Sequence, residues 1–256
     1  HTPIVPAQEF YGKSNAGPYG DLVHQTDFTI GEILKALERN NLDDNTIVIF
    51  TSDNGSPARA GDPHIHGKMF HPPGSVETMF NHNPNAPLRG MKADIYEGGH
   101  RVPFIVKWPG NFPANSVSNE PICAIDIMAT LANIVNYDLP YNSAVDSYDL
   151  TELFSGKPVG VDSGLQPLRE AIVHHSVNGT FAIRKGNWKM IPCKGSGGWQ
   201  HAKSVKEATN APEGQLYNLK DDPAEENNLW NIHPEIVKEL ELLLEKYKRE
   251  GRSVNP

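Results

Sequence analysis

Between Asp21 and Asn40 the apolar residues Val23, Ile30, Ile33, Leu34 and Leu37 recur at the spacing of one helical face. The pattern predicts an amphipathic helix closed by Asn40-Asn41. Asp43-Asp44-Asn45 then turns the chain into Thr46-Ile47-Val48-Ile49-Phe50-Thr51, an apolar run read as a strand buried on both faces. Helix, short turn and buried strand make one αβ unit of a mostly parallel sheet covered on both sides. Val102 to Trp108 repeats the strand pattern and stops at Pro109-Gly110. Ile125, Met128, Ala129, Ala132 and Val135 mark a further helix over 124–136.

A looser stretch, 138–166, leads into different grammar. Short strand candidates at 171–174, 180–185 and 187–191 are joined by turns at Asn178-Gly179 and Gly186-Asn187, and 215–219 supplies another strand. Pro234 opens a helix that carries Ile236, Val237, Leu240, Leu243, Leu244 and Tyr247 on one side, and Gly251 ends it. The prediction is a small antiparallel sheet backed by one helix, following a larger α/β part. No internal repeat interrupts this order.

A chain of 256 residues with 38% hydrophobic and 21% charged residues has the composition of a globular protein. Its net charge of −8, with no basic run, argues against a nucleic-acid or anionic-membrane partner. An anionic substrate then needs a local cation or a bound metal. No stretch approaches the roughly 20 apolar residues of a membrane span. Cys123 and Cys193 match no zinc spacing, and the pair is compatible with a disulfide or with two free thiols. The chain opens on His1-Thr2-Pro3 with no Met, so the lack of a signal peptide carries no weight.

Candidate chemistry begins at Asp53-Asn54, directly after the first strand and before Gly55. Ligands of open α/β sheets collect beyond the carboxyl ends of strands. A carboxylate and an amide oxygen suit a hard cation, but Ca²⁺ takes about 6–8 oxygens and Mg²⁺ about six, so other ligands must come from elsewhere. The plainer reading is an Asx turn. Residues 56–87 form a long loop rich in Pro, Gly, Asn and His, a length uncommon unless it lines a site or is disordered. Next come Pro87-Leu88-Arg89-Gly90-Met91-Lys92 and Glu97-Gly98-Gly99-His100-Arg101-Val102-Pro103. Among the cations Arg89, Lys92 and Arg101, a lysine can neutralise an oxyanion as a point charge. Alternatively, Glu97 pairs with an arginine and the glycines only let the backbone turn.

His64, His66, His71 and His82 crowd the long loop, as substrate or zinc contacts or as solvated side chains. His174-His175 offers one side chain to a sugar or both to packing, since adjacent strand residues face opposite sides. Trp188 and Trp199 are candidates to stack on a sugar ring, with Trp188 better suited to a core position.

The strings IVIFTSDNG and PLRGMKADIYEGGHRVPFIVKWPG together closely resemble the type I sulfatases of the alkaline phosphatase superfamily. The resemblance extends upstream through HTPIVPAQEFYGKS and YGDLVHQTDFTIGEILKAL, and downstream through FAIRKGNWKMI and QLYNLKDDPAEENNL. It implies an α/β fold: the C-terminal part of an alkaline-phosphatase-like mixed sheet sandwiched by helices over 1–155, and a C-terminal α+β subdomain over 156–256. Asp53 and Asn54 match the family's second pair of calcium ligands. Lys92 matches the lysine that contacts sulfate and the nucleophile. His1 matches the histidine at the sulfate and the bridging ester oxygen, although the proline that precedes it in the family is absent here.

The family's Cys-x-Pro-Ser-Arg or Ser-x-Pro-x-Arg signature, the source of its formylglycine nucleophile, is missing, as is its N-terminal Asp-Asp metal pair. Cys123-Ala-Ile-Asp and Cys193-Lys-Gly-Ser do not fit, and Ser56-Pro57-Ala58-Arg59 has its proline and arginine one place early. The expectation is therefore the C-terminal half of a sulfatase, as a fragment or one part of a split enzyme. Its partners would be the missing N-terminal half and a sulfated small molecule or glycan. A single Ca²⁺ shell would be completed from outside the chain, and the chain alone would be inactive. Export to the periplasm or beyond the cell is implied by the family. The alternatives are a phosphatase, phosphodiesterase or phosphonate hydrolase of the same superfamily, and a non-catalytic carbohydrate-binding accessory chain.

Overall fold

A computed structural model describes residues 4–57, 76–160, 164–199 and 211–254. His1, His64, His66 and His71 lie outside the described residues. In chain order the larger part contains α1 (Gly17–Arg39), β1 (Val48–Thr51), α2 (Val76–Phe80), α3 (Glu97–His100), β2 (Phe104–Lys107), α4 (Asp126–Ile134) and α5 (Thr151–Phe154). The smaller part contains β3 (Ile172–His175), β4 (Phe181–Lys185), β5 (Trp188–Ile191), β6 (Gln215–Asn218) and α6 (Pro234–Glu250).

Helix α1 starts earlier than its apolar spacing predicts because Pro18 sits in its first turn, where the fixed φ suits a helix start. Buried Asp21 accepts the N–H groups of Gly12 and Ser14 at 2.9 and 2.8 Å, tying the preceding turn to the helix. β1 and β2 run antiparallel, with Ile49 opposite Val106 and Phe50 opposite Ile105. This corrects the expectation of a parallel unit with a strand buried on both faces. An unbroken apolar run does not encode strand direction, and alternation sends successive side chains to opposite faces. Ile47, Ile49 and Val106 meet Ile127, Leu131 and Ile134 of α4. On the other face Ile105 remains 60% exposed.

The smaller sheet is an antiparallel meander in the order β3-β4-β5-β6, as predicted. One face, through Ile183, Met190 and Leu216, packs on Val237, Leu240, Leu243, Leu244 and Tyr247 of α6. Full burial of such side chains contributes about 1.5–3 kcal/mol each. Gly251 closes α6 with φ 64°, a left-handed value that glycine adopts without strain. The other face, through Ala182, Ile191, Tyr217 and Leu219, packs on Ile95 and Tyr96 from the larger part.

That second face also holds charge. Lys189, fully buried in β5, places its Nζ 3.0 Å from Glu97 Oε1 and 2.8 Å from Glu225 Oε1. The Glu97 N–H donates to Glu225 Oε2 at 2.6 Å. Arg184 and Arg101 stand 3.7 and 3.8 Å from Glu97 Oε2. Burial, the largest single influence, works to raise the Glu97 pKa, but the charges and hydrogen bonds of Lys189 and His100 together outweigh it and hold this carboxyl well below the usual range. For Glu225, burial prevails and pushes the carboxyl up, with Lys189 offsetting it in part. A second buried pair joins Arg169 to Asp126, whose carboxylate also accepts the Cys123 and Tyr148 N–H groups at 2.7 and 3.0 Å. Both cysteines are free thiols.

Replacing Lys189 by methionine keeps the volume and strands two buried carboxylates without their cation. We expect a loss of about 3–5 kcal/mol in urea unfolding. A loss below about 1 kcal/mol would contradict the structural role given to this ion cluster.

Candidate active site

At the end of β1 the chain bends through Ser52, Asp53 and Asn54. Asp53 Oδ1 accepts the Asn54 N–H at 3.0 Å, a local bond of the plainer turn reading. The Asn54 amide nitrogen donates to Gly55 O at 3.0 Å, so its Oδ1 takes no part in that bond. The Gly55 N–H donates to Gly99 O at 2.9 Å. A Cβ on Gly55 would stand 1.8 Å from Gly98 O, so this crossing of strand end and α3 admits only glycine. One residue on, Ser56 O accepts the Lys92 N–H at 3.1 Å. Two backbone bonds thus bring the strand-end pair and the lysine segment together.

Asn85 locks the crossing. Its Oδ1 accepts the Ser56 N–H at 2.9 Å, while its Nδ2 donates to Ser56 O at 3.0 Å and Gly90 O at 3.2 Å. The sequence reading missed this residue, because an asparagine inside a polar loop carries no distinguishing signal.

Asp53, Asn54, Lys92 and Arg101 line one open cleft of about 670 Å³ between α1 and the strand ends. Asp27, Asn85 and Trp199 share its wall. Of the three cations singled out, Arg89 is not a site residue. Its Nη1 donates to Glu225 O at 2.8 Å, and its guanidinium lies 3.9 Å from the centre of the Tyr96 ring. Arg101 serves both readings, lining the cleft while remaining within reach of Glu97.

The oxygen donors of Asp53 and Asn54 fit a hard cation such as calcium. Among the described residues no group of three or more His, Cys, Asp or Glu side chains is placed to hold a metal. These two side chains therefore fit part of such a shell and do not make a whole one.

The histidine pair in β3 divides as alternation requires. His174 Nε2–H donates to Ile95 O at 3.2 Å, and its ring lies against His100 with centroids 3.8 Å apart and planes tilted by 42°. His174 Nδ1 is buried without a hydrogen bond among the described residues. Its role is packing, away from the cleft. His175 is exposed and packs beside Phe181. Trp188 joins the α6 core, as its strand position suggested.

Residues 1–137 match the sulfatase family model, and residues 91–250 match the model for the C-terminal region of N-sulphoglucosamine sulphohydrolase. The chain belongs to the sulfatase family. It is 39% identical to the N-acetylgalactosamine-6-O-sulfatase of Bacteroides thetaiotaomicron over 97% of this chain and 45% of that protein. It is 30% identical to human arylsulfatase A over 95% of this chain and 46% of that protein. A solved structure from work on metabolism of multiple glycosaminoglycans by Bacteroides thetaiotaomicron superposes with TM-score 0.80 at 39% identity, covering 97% of this chain and 48% of that one. The chain thus spans about half the length of the curated relatives it matches. No helix among the described residues is long and apolar enough to cross a membrane.

Burial, the neighbouring His100 and the Lys189 charge push the His174 pKa well below its ordinary 6.5, while the Ile95 carbonyl and Glu97 pull weakly upward. His100 shifts down for the same leading reason, burial. The unfolded chain therefore takes up these protons first, so the contribution to stability is full above about pH 6.5 and falls on acidification. Unfolding at about pH 7.5 and pH 5 should show His174→Phe losing less stability over this interval than the unsubstituted chain. An unchanged difference would exclude His174 as a source of acid sensitivity.

Proposed function

We propose that this chain forms the C-terminal half of a sulfate-ester hydrolase and supplies one side of its sulfate site. The observation that carries the reading is the Lys92 N–H bond to Ser56 O, which sets Lys92 beside the strand end bearing Asp53 and Asn54, on one cleft. Membership of the sulfatase family favours sulfate over phosphate as the group bound there.

In this reading the Lys92 ammonium neutralises a sulfate oxygen as a point charge, favouring the transition state over water at the same place. Asp53 and Asn54 are the residues of this chain that would hold a calcium ion, through their side-chain oxygens. His1, matched to the family histidine, hydrogen-bonds the bridging oxygen and protonates the departing alcohol. Arg101 stands at the rim, where it adds positive potential to a chain whose overall charge is −8. The chemistry supplied from beyond these residues is Lewis-acid charge from calcium and a nucleophilic oxygen from a formylglycine hydrate. The substrate is a sulfated sugar or glycan, in keeping with the relative named as an N-acetylgalactosamine-6-O-sulfatase. An exported location belongs to the same reading.

Lys92→Ala in the complete enzyme should lower kcat/KM for a sulfate ester by about 100-fold or more. Its unfolding midpoint should stay near that of the parent. Activity within about 3-fold of the parent would remove Lys92 from the site.

A further inference from the structure

After β5 the chain runs Pro192-Cys193-Lys194-Gly195-Ser196-Gly197-Gly198-Trp199. This turn is fastened to the segment that bears Lys92. Ser196 O accepts the Ile95 N–H at 2.9 Å. The Gly197 carbonyl accepts the Asn178 N–H at 3.3 Å, and Ala93 O accepts the neighbouring Val177 N–H at 3.0 Å. Gly198 passes so close that a Cβ would lie 2.3 Å from Ala93 O. From behind, Gln215 Nε2 donates to Cys193 O and Gly195 O, each at 2.9 Å. Gln215 Oε1 in turn accepts the Tyr96 and Tyr217 hydroxyls at 2.8 and 2.7 Å.

The residue at the end of this braced turn is Trp199, which keeps 45% of its surface exposed and lines the cleft with Lys92, Asp53 and Asn54. A tryptophan covers a large apolar area when it packs, as Trp188 of β5 does against the α6 core. The turn instead holds Trp199 at the cleft. A flat aromatic face there suits a ring whose own face is made of C–H groups and whose edges carry hydroxyls. Two charged side chains of the wall, Asp27 and Arg101, face such edges.

We infer that Trp199 is the platform on which the sugar ring carrying the sulfate stacks, making it a specificity-determining residue for sulfated carbohydrate. The inference rests on the hydrolase reading above. Loss of the ring acts on sugar binding and leaves the sulfate contacts in place. In the complete enzyme, Trp199→Ala should raise KM for a sulfated monosaccharide about 5- to 10-fold and leave kcat within about 2-fold. Trp199→Phe should keep KM within about 2-fold of the parent. Inhibition by inorganic sulfate, which reaches Lys92 without needing the platform, should be unchanged in both variants. The sugar-induced change in tryptophan fluorescence should shrink in Trp199→Phe.

Equal losses for sugar and inorganic sulfate would show a structural role and overturn the platform. An unaltered sugar KM in Trp199→Ala would do the same. A parent enzyme that hydrolyses aryl sulfates and no sugar sulfate would overturn the carbohydrate assignment while sparing the hydrolase reading. One that hydrolyses neither would overturn both.

Discussion

The placement of the candidate site depends on one buried cation. Lys189 enters from the small sheet, meets Glu97 at the first turn of α3, and shares itself with Glu225 from the loop after β6. Charges with no access to water are costly to bury, so removing the cation alone from such a cluster is strongly destabilising. The cluster forces α3 against the sheet. Since Gly98 and Gly99 then touch the end of β1, the same contact sets where Asp53 and Asn54 can lie. The small sheet is therefore part of the site's foundation although none of its strands lines the cleft.

The two carboxylates share the cation unequally. Glu97 also has Arg101 and Arg184 within 4.0 Å, while Glu225 has Lys189 and a backbone N–H. Their opposite displacements follow from His100, whose hydrogen bond and charge add to Lys189 at Glu97 and are absent at Glu225. Arg101 is then held from one side by Glu97 and presented to the cleft on the other, linking the interior charge balance to the surface where an anion would bind.

Much of this was legible in the sequence. The heptad-like face of α6, the Asn178-Gly179 and Gly186-Asn187 turns and the strand-end Asp53-Asn54 are local patterns, and local patterns survive into structure. The antiparallel pairing of β1 with β2 was not legible, because strand direction depends on partners distant in sequence. Asn85 escaped for the same reason, since its bonds to Ser56 and Gly90 exist only once two loops meet. Lys189 was different. A lone lysine between Trp188 and Met190-Ile191 in an apolar strand is a visible signal of a buried charge, and it calls for an acidic partner elsewhere. Among the three cations Arg89, Lys92 and Arg101, Arg89 is taken into the interior by Tyr96 and the Glu225 carbonyl, a destination that spacing alone did not distinguish. His1 lies outside the described residues, so its matched role rests on the family resemblance.

The most direct test of the account is elemental analysis of the complete enzyme, parent and Asp53→Ala, after exhaustive dialysis. A strand-end half-site built from Asp53 and Asn54 predicts one calcium per molecule in the parent and its loss in the variant, with the circular dichroism spectrum unchanged. Two zinc or manganese ions in the parent, or full retention of calcium by the variant, would contradict it.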